Sequence, residues 1–514
     1  MRTSEIRRAH VKELLLQIGF LGPRAALVED GDLTEFIAES REPEAIRFGD
    51  IFRARVTTLL PPLRAALVDL GDGRVALLQS PRFPVCQTLR IELGRGNLAR
   101  FAARYVEVAL KEGLQLIVQV RRLPHERKAA LVSPRIRVED FFLALHPGTR
   151  EFQWPKQCSA QWRERILALL APFAERLGGF VVECRALRAT DGEILQEANR
   201  LQDTWRIIAE AILAANRPGL IYRDRDPIAY LLRESADVEL DSIVLDVPEF
   251  EDTVRRCWTS LAPEHPARVR VAVGSPDLFT SRRVDEQLRM ALQPEVPLPH
   301  GGLVRFEFTT AGTLVDVDTA GAHSLHSFST PDTAQVNVEA ARVVARQVRL
   351  RGLGGKILVD FINPGTAALR KRLGSQVVTM FYEDRFVDAV HMHPGCTLVD
   401  VHRRRRRLPL ADQFLAPCRA CGSPHQTWSV SARARDLLQR AWVQYKLLSE
   451  GQKLRIEAPP ELVDHLQRAE PGLLQEFTRV SGIPVEVEPA PSEEPRISFI
   501  TKERPVTSRR HGPK

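Results

Sequence analysis

This chain has no long apolar run and few cysteines. Its 514 residues include seven cysteines, an odd number in a large chain, which does not suggest a disulfide framework. The N-terminus holds basic residues and the short run Leu14–Leu16, but no apolar segment long enough for a signal peptide or a membrane span. We therefore expect a cytoplasmic protein without a membrane span.

The excess of positive charge is small. Lysine and arginine number 73 against 65 acidic residues, which gives a net charge of +8 and a pI near 9.3. This excess is compatible with polyanionic partners and indicates no more than that. The run Arg403–Arg407 is denser, and Arg403, Arg404 and Arg405 are candidates for contacts with RNA phosphates. The alternative is a solvated loop or strand end.

Three aspartates lie on two neighbouring predicted strands. The first strand contains Asp316 and Asp318, the second ends near Asp360, and a predicted helix over 332–350 connects them. Such a unit places its strands in parallel, with functional groups at their carboxyl ends. Converging carboxylates repel one another unless a cation relieves the repulsion, and magnesium fits an all-oxygen site. The alternative is that these aspartates only end strands and bond to nearby backbone.

The segments around these aspartates resemble a known family. The stretches LVDVDTAG, NVEAARVVARQ and QVRLRGLGGKILVDF are similar to the core of the ribonuclease E/G family of bacterial endoribonucleases. The resemblance implies that Asp316 and Asp360 bind magnesium, and that Asp318 orients the water or a ligand of the ion. Where the family has asparagine this chain has Asp318, and where the family has aspartate it has Asn363. These departures keep oxygen ligands in place but redistribute charge.

A single C-x-x-C motif, Cys418 and Cys421, follows this region. Two thiolates can chelate zinc, but a structural zinc ion needs four ligands, and the chain has no second C-x-x-C. His425 with a distant residue, or a second copy of the chain, could complete the site; a redox pair or two idle thiols are the other interpretations. The resemblance favours one zinc shared by two protomers, in a dimer or a dimer of dimers.

The N-terminal third contains short alternating strands that predict a small barrel. Turns at Pro61–Pro62 and Gly71–Gly73 separate them. The resemblance implies an inserted OB-fold domain, which binds single strands by stacking bases on aromatic side chains in a basic groove. The family's two aromatic positions fall on Leu67 and Leu77, so we expect weak RNA binding, RNA binding by other residues, or a purely structural barrel. The candidate RNA contacts here are Arg53, Arg55, Arg64, Arg74, Arg127 and Lys128.

The region 131–215 is predicted to be mainly helical. In the family it holds a pocket for the 5′-monophosphate of RNA, built around an Arg-Thr pair. Glu183 and Cys184 stand at those positions, and a carboxylate repels a phosphate. Arg185 or Arg188 could substitute only through a shift of register, so we predict no standard 5′-end sensor.

The resemblance implies a multidomain α/β fold. Its expected parts are a ribonuclease H-like subdomain (1–45 with 216–290), the OB-fold barrel (46–130), the sensor-like helical region (131–215), a deoxyribonuclease-I-like α/β catalytic subdomain (291–413), a zinc link (414–425), a small α/β C-terminal domain (426–500) and a disordered basic tail (501–514).

The implied function is that of a short, ribonuclease G-like member of the family. It would cleave single-stranded RNA by magnesium-dependent hydrolysis during RNA processing or decay, leaving 5′-phosphate and 3′-hydroxyl ends. The alternative is a non-catalytic RNA-binding or assembly protein on the same fold. The retained aspartates favour the enzyme, because a binding protein has little reason to keep both.

Overall fold

The computed structural model describes most of the chain. The described residues are 11–38, 46–92, 102–124, 128–155, 158–223, 227–235, 240–262, 267–272, 277–299, 301–309, 311–319, 333–418, 420–421, 427–445, 452–492 and 494–501. Arg127, His425 and all but the first residue of the predicted basic tail lie outside them. Across the described residues, no helix is both long enough and apolar enough to span a membrane.

The described strands form several separate sheets, and the α-helices begin only after β12. The strands are β1 (Lys12–Gly19), β2 (Gly22–Glu29), β3 (Asp32–Ala38), β4 (Ile51–Leu60), β5 (Ala65–Asp69), β6 (Val75–Gln79), β7 (Val85–Glu92), β8 (Ala102–Ala109), β9 (Gln115–Arg122), β10 (Ala130–Ser133), β11 (Val138–Glu139), β12 (Leu143–Pro147), β13 (Gly178–Val182), β14 (Gly219–Tyr222), β15 (Ser242–Leu245), β16 (Arg268–Val271), β17 (Glu295–Pro297), β18 (Leu303–Phe308), β19 (Thr313–Asp318), β20 (Gly355–Asp360), β21 (Val387–Met392), β22 (Leu398–Arg403), β23 (Leu415–Ala416), β24 (Thr427–Trp428), β25 (Gln452–Ala458), β26 (Val485–Pro489) and β27 (Arg496–Thr501). The α-helices are α1 (Ala160–Leu177), α2 (Asp191–Ala214), α3 (Pro227–Ser235), α4 (Glu251–Leu261), α5 (Leu278–Ser281), α6 (Val284–Ala291), α7 (Thr333–Leu350), α8 (Ala367–Tyr382), α9 (Leu410–Phe414), α10 (Val430–Tyr445), α11 (Pro460–Asp464) and α12 (Pro471–Ser481). This mixed α/β, multidomain architecture agrees with the fold class that the sequence predicts.

The first sheet has the order β16-β15-β1-β2-β3. β1, β2 and β3 are antiparallel neighbours, whereas β15 and β16 run parallel to β1. Leu14, Leu15 and Leu16 are all buried, because apolar clusters cover both faces of β1. A strand that is buried on both sides is continuously apolar, which explains the short run at the N-terminus.

A closed five-stranded barrel follows, as the sequence predicts. Its strands lie in the order β4-β5-β6-β10-β9, and β9 pairs with β4 to close the cylinder. Two of its contacts cross the boundaries expected from sequence. β10 extends to Ser133, and β14 adds to β4 from 166 residues further along the chain, at the Gly219–Arg53 pair.

The region between the barrel and β14 combines two long helices with a small sheet. β11, β12 and β13 form an antiparallel sheet, and α1 and α2 contact it. Thr190 begins α2 with a capping box, in which its side chain and that of Glu193 bond each other's backbone N–H. The mainly helical character that the sequence predicts for this region is found in α1 and α2, and the three-stranded sheet adds to it.

A six-stranded sheet between residues 295 and 403 has the order β17-β18-β19-β20-β22-β21. Only β19 and β20 are parallel neighbours, and α7 makes the crossover between them. Val315, Val317, Ile357 and Val359 form a core with residues of α7 and α8 on one face. The side of the sheet away from α7 and α8 carries exposed polar side chains, and we call it the open face.

The C-terminal part packs on the turn between β1 and β2. α10, α11 and α12 surround β25, which pairs with β26 and β27. Phe20, at that turn, inserts into this core with its ring centroid 5.0 Å from that of Phe477 and 5.2 Å from that of Trp442. The two ends of the chain are therefore joined through one apolar core.

Candidate active site on the open face

Asp316 and Asp360 lie side by side at the carboxyl ends of two parallel strands. In the register of β19 with β20, Asp316 is the direct partner of Asp360. Adjacent strands are about 4.8 Å apart, and residues in register extend their side chains from the same face. The neighbouring Val315, Val317 and Val359 are buried, whereas both aspartates are exposed. The two carboxylates therefore stand together on the open face.

A glycine-rich turn leads from α7 into β20 and sets where Asp360 emerges. Gly352 has a φ of 63° and its N–H donates to the carbonyl of Arg349 at 3.1 Å, a left-handed helix end that suits glycine. At Gly354 a β-carbon would lie 2.8 Å from the Cα of Arg405. Gly352 is therefore needed to end the helix, and Gly354 is needed to leave room for the backbone at Arg405.

Two buried side chains hold the loop around Asp360. The hydroxyl of Thr397 donates to Oδ1 of Asp360 at 3.4 Å. Asn337, fully buried on α7, donates from Nδ2 to the carbonyl of Ile362 at 2.6 Å and accepts from its N–H at 3.0 Å. Asn337 is not among the site residues predicted from the sequence. An amide among the buried apolar residues of α7 was the signal that could have found it.

Asp318 and Asn363 complete the polar set near the carboxylates. Asp318 ends β19 on the same face as Asp316, by the two-residue period of a strand, and is half-buried. The side-chain oxygen of Asn363 accepts from the N–H of Gly365 at 3.0 Å and from Arg370 at 3.3 Å. Asn363 therefore organises its own loop.

The donor set at Asp316 and Asp360 fits a magnesium ion. Magnesium binds through one or two carboxylates, retains several waters and takes further ligands from substrate phosphates. Across the described residues there is no group of three or more His, Cys, Asp or Glu that could hold a metal ion. A complete protein cage is thus absent from this part of the chain, but the pair meets the needs of an ion that shares its ligands with a substrate.

Cys418 and Cys421 lie between the two strands of a short ribbon. β23 and β24 form it, and Leu415 is paired with Trp428. Cys418 is half-buried, Cys421 is exposed, and neither is in a disulfide. Two thiolates supply half of a tetrahedral zinc site, and His425 is outside the described residues. These two thiols alone do not complete a zinc site.

The candidate RNA contacts of the barrel divide into two groups. Arg53 donates to the carbonyl of Ile212 at 2.8 Å, and Arg74 stacks over Phe52 with its guanidinium 5.3 Å from the ring centroid. Arg55, Arg64 and Lys128 are exposed. Arg53 and Arg74 are therefore committed to internal contacts, and the others face solvent.

Leu67 and Leu77, the expected positions of base-stacking aromatics, are brought together. They are direct partners in the register of β5 with β6, and both are half-buried on the outside of the barrel. The structure thus forms the two-residue platform, but it consists of aliphatic side chains.

The run Arg403–Arg407 is mostly turned inward. Arg403 is only 6% exposed, with Nε 2.7 Å from Asp384 and Nη1 2.7 Å from the carbonyl of Leu353. Arg405 donates to the carbonyl of Gly354 at 2.8 Å. Arg404 is exposed, although its Nε lies 3.2 Å from Asp388. Arg403 is therefore in no position to contact RNA, and Arg404 is the member of the candidate trio that faces solvent.

The following two arginines bind three buried carboxylates from other parts of the molecule. Arg406 pairs with Glu139 and Glu234, and Arg407 with Glu35 at 2.8 Å. We call these five residues, with Arg385, the buried ion cluster. Burial alone would raise the pKa of Glu139, but Arg406 and Arg137 lower it to about 2. Burial is the main reason that the pKa of Arg385 falls to about 9.

At the positions that match the family's 5′-end pocket, the side chains make contacts within the protein. Glu183 pairs with Arg137, and Cys184 is exposed. Arg185 donates to the carbonyl of Arg233 at 3.2 Å and lies 4.5 Å from the ring centroid of Phe141. Arg185 is thus held by neighbouring protein groups, and Arg188 is exposed.

Comparison with known proteins shows which family this chain matches. The ribonuclease E/G family matches residues 142–406, a span that contains β19, α7 and β20 with all three aspartates. The chain belongs to the ribonuclease E/G family. The match leaves out Cys418 and Cys421 and all five strands of the barrel.

Individual relatives extend over most of the chain. Ribonuclease G of Haemophilus influenzae is 27% identical over 92% of this chain and 96% of its own length. Ribonuclease G of Escherichia coli K12 is 26% identical over 94% of this chain and 98% of its own length. Ribonuclease E of Synechocystis sp. is 27% identical over 73% of this chain but only 54% of its own length. This chain therefore resembles the ribonuclease G proteins in overall extent.

Proposed function

We propose that this protein is a metal-dependent endoribonuclease that cleaves single-stranded RNA. The observation that carries the proposal is the pair Asp316 and Asp360, which are direct partners on an exposed sheet face within the span matched by the family. Two carboxylates brought this close repel each other unless a cation relieves the repulsion. An exposed pair at the strand ends is what a metal ion needs if it shares its ligands between the protein and a substrate.

Asp316 and Asp360 would hold a magnesium ion, and such an ion lowers the pKa of bound water and neutralises charge at a scissile phosphate. Thr397 orients the Asp360 carboxylate, and Asn337 fixes the loop that follows it. Asp318 would accept a hydrogen bond from the attacking water. In-line attack by water would leave a 5′-phosphate and a 3′-hydroxyl.

Strand order supports the subdomain assignments that the resemblance implies. The β16-β15-β1-β2-β3 sheet, with three antiparallel strands and two parallel ones, fits a ribonuclease H-like subdomain. The five-strand barrel fits an OB-fold. The six-stranded sheet with α7 and α8 would be the deoxyribonuclease-I-like catalytic subdomain.

The two thiols after β23 would hold half of a zinc site. Four thiolates complete the tetrahedron if a second chain supplies the other two, so we expect about one zinc per two chains and a zinc-linked dimer. Cys418→Ser should lose the zinc and weaken the dimer. Elemental analysis with native mass spectrometry tests this, and Cys396→Ser is the matched control because Cys396 is an exposed free thiol in the turn between β21 and β22. One full zinc per monomeric chain would contradict the proposal.

The direct test of the function is cleavage of a short, A/U-rich fluorescent oligoribonucleotide. We expect cleavage with magnesium and none with EDTA, faster cleavage of the single strand than of its duplex, and products with 5′-phosphate ends. Binding without cleavage, in magnesium and in manganese, would instead support a non-catalytic RNA-binding protein on the same fold.

A further inference from the structure

The open face carries a second polar group beyond the aspartate pair. The strand registers place side chains in rows that run across the sheet. One row contains Arg305, Asp316, Asp360 and Leu398. Arg305 in that row is engaged with Glu295, with Nη2 2.7 Å from the carboxylate. The row therefore has its cation at one end, and that cation already has a partner.

The next row along the strands is largely apolar at its centre. Leu314 and Leu358 are direct partners, and Leu314 is 42% exposed. Glu307 and Asp400 flank them on the neighbouring strands. A nucleoside could rest on this apolar centre, but its two flanking carboxylates would not attract a phosphate.

A basic pair lies in the third row. Lys356 on β20 is the direct partner of His402 on β22, and both are exposed. Lys356 forms no ion pair with any residue that the structure describes. Lys356 and Asp360 are on the same face, four residues apart on one strand, which is about 13 Å at 3.3 Å per residue. Lys356 is thus too far away to touch a phosphate bound at the aspartates.

We propose that Lys356, with His402 beside it, binds a phosphate of single-stranded RNA that flanks the scissile one, so that the strand crosses the open face along β20. The inference rests on the proposed function for the position of the scissile phosphate. The ammonium group of Lys356 has no ion-pair partner in the part of the chain that the structure describes, and it lies beyond an apolar centre on the metal-ligand face. It therefore supplies the cation that a phosphodiester needs. The pair acts in binding and does not touch the reacting atoms.

The test is equilibrium binding of a fluorescent single-stranded oligoribonucleotide to the full chain in EDTA, which prevents metal-dependent cleavage. Measurements at about 50 and 200 mM salt give the salt dependence. Lys356→Ala should raise Kd about three- to tenfold at low salt and reduce the magnitude of the salt slope by about 0.7, the value of one lost single-strand phosphate contact. Lys356→Arg should retain most of the affinity, and His402→Gln should have a smaller effect than Lys356→Ala.

Lys371→Ala is the matched control. Lys371 is an exposed lysine of α8, which covers the opposite side of the sheet. Its removal changes net charge equally and should leave Kd within about twofold. In cleavage assays Lys356→Ala should raise KM and leave kcat unchanged, which separates a binding contact from a structural or chemical role.

The two proposals fail separately. If the wild type does not cleave RNA but Lys356→Ala still reduces the salt slope, the endoribonuclease proposal is wrong and the phosphate contact stands. If the wild type cleaves and Lys356→Ala binds with unchanged affinity and salt slope, the phosphate contact is wrong. A fall in kcat with unchanged KM would likewise overturn it.

Discussion

The open face and the arginine-rich segment after β22 both carry several charged side chains but use them in opposite ways. On the open face, Asp316, Asp360 and Lys356 are exposed. In the buried ion cluster, Arg406 and Arg407 are paired with carboxylates of three other elements, and their heads are largely removed from solvent. Charge that is exposed can meet a substrate, whereas charge that is buried and paired holds parts of the protein together.

The largest expected effect comes from removing a charge on the open face. Asp316→Asn or Asp360→Asn should lower the cleavage rate by at least about a hundredfold, because a metal centre supplies several kcal/mol of transition-state stabilisation. The Tm should stay close to that of the wild type, since both side chains are exposed. Initial rates and thermal unfolding of the same preparations measure both effects. Normal cleavage by both variants would refute the assignment.

The buried ion cluster should show the opposite behaviour. Arg406→Met removes positive charge beside the carboxylates of Glu234 and Glu139, which stay largely buried. Breaking a buried ion pair in this way should lower the free energy of unfolding by about 3–5 kcal/mol. The control is Arg404→Met, which removes an exposed arginine whose pair with Asp388 is worth at most about 1 kcal/mol. Denaturant unfolding compares the two. Equal stabilities would show that the cluster contributes little to holding the subdomains together.

Acid should weaken the same cluster. The pKa of Glu139 falls from 4.5 to about 2 in the folded protein. A carboxyl with a depressed folded pKa contributes stability above its unfolded pKa and loses it as the pH falls through the folded value. The Tm of the wild type should therefore fall more steeply between about pH 4.5 and pH 2 than that of Glu139→Gln. Parallel curves would mean that Glu139 is not the group that titrates.

The smallest expected effect concerns the 5′ end of the RNA. Glu183 is paired with Arg137, next to the buried ion cluster. Arg185 is held by the carbonyl of Arg233 and the ring of Phe141. A lost charge-assisted contact is worth about 1.5–3 kcal/mol, enough to remove a tenfold preference. We expect rates within about threefold for matched oligonucleotides with 5′-monophosphate and 5′-hydroxyl ends.

A strong preference for the 5′-monophosphate would contradict this expectation. If that preference disappeared in Arg188→Ala, the exposed arginine at the end of that turn would be the phosphate contact. Arg206→Ala, at an exposed position on α2, is the control for the loss of one positive charge.

Local patterns explain why part of this structure could be predicted from the sequence. The alternation of β19 and β20, the periodicity of α7 and the glycine turn at Gly352 are features of neighbouring residues, so the strand–helix–strand unit and its aspartates could be placed together. The alternating strands and turns likewise predicted the closed barrel.

Pairing between distant residues could not be predicted in this way. The addition of β14 to β4 joins Gly219 to Arg53. The partners of Arg406 and Arg407 lie at Glu35, Glu139 and Glu234. Five consecutive arginines look the same in the sequence whether they face RNA or buried carboxylates, because burial is decided by the packing of separate subdomains.

The most direct test of the central claim probes the contact between the metal ion and the scissile phosphate. Sulfur in place of a non-bridging oxygen of that phosphate weakens magnesium binding, because magnesium prefers oxygen ligands. In the wild type, one of the two stereoisomers should be cleaved at least about tenfold more slowly with magnesium, and manganese should restore the rate. Asp360→Asn should show no such rescue. Equal cleavage of both stereoisomers with magnesium would contradict a metal ion held by Asp316 and Asp360 at the reacting phosphate.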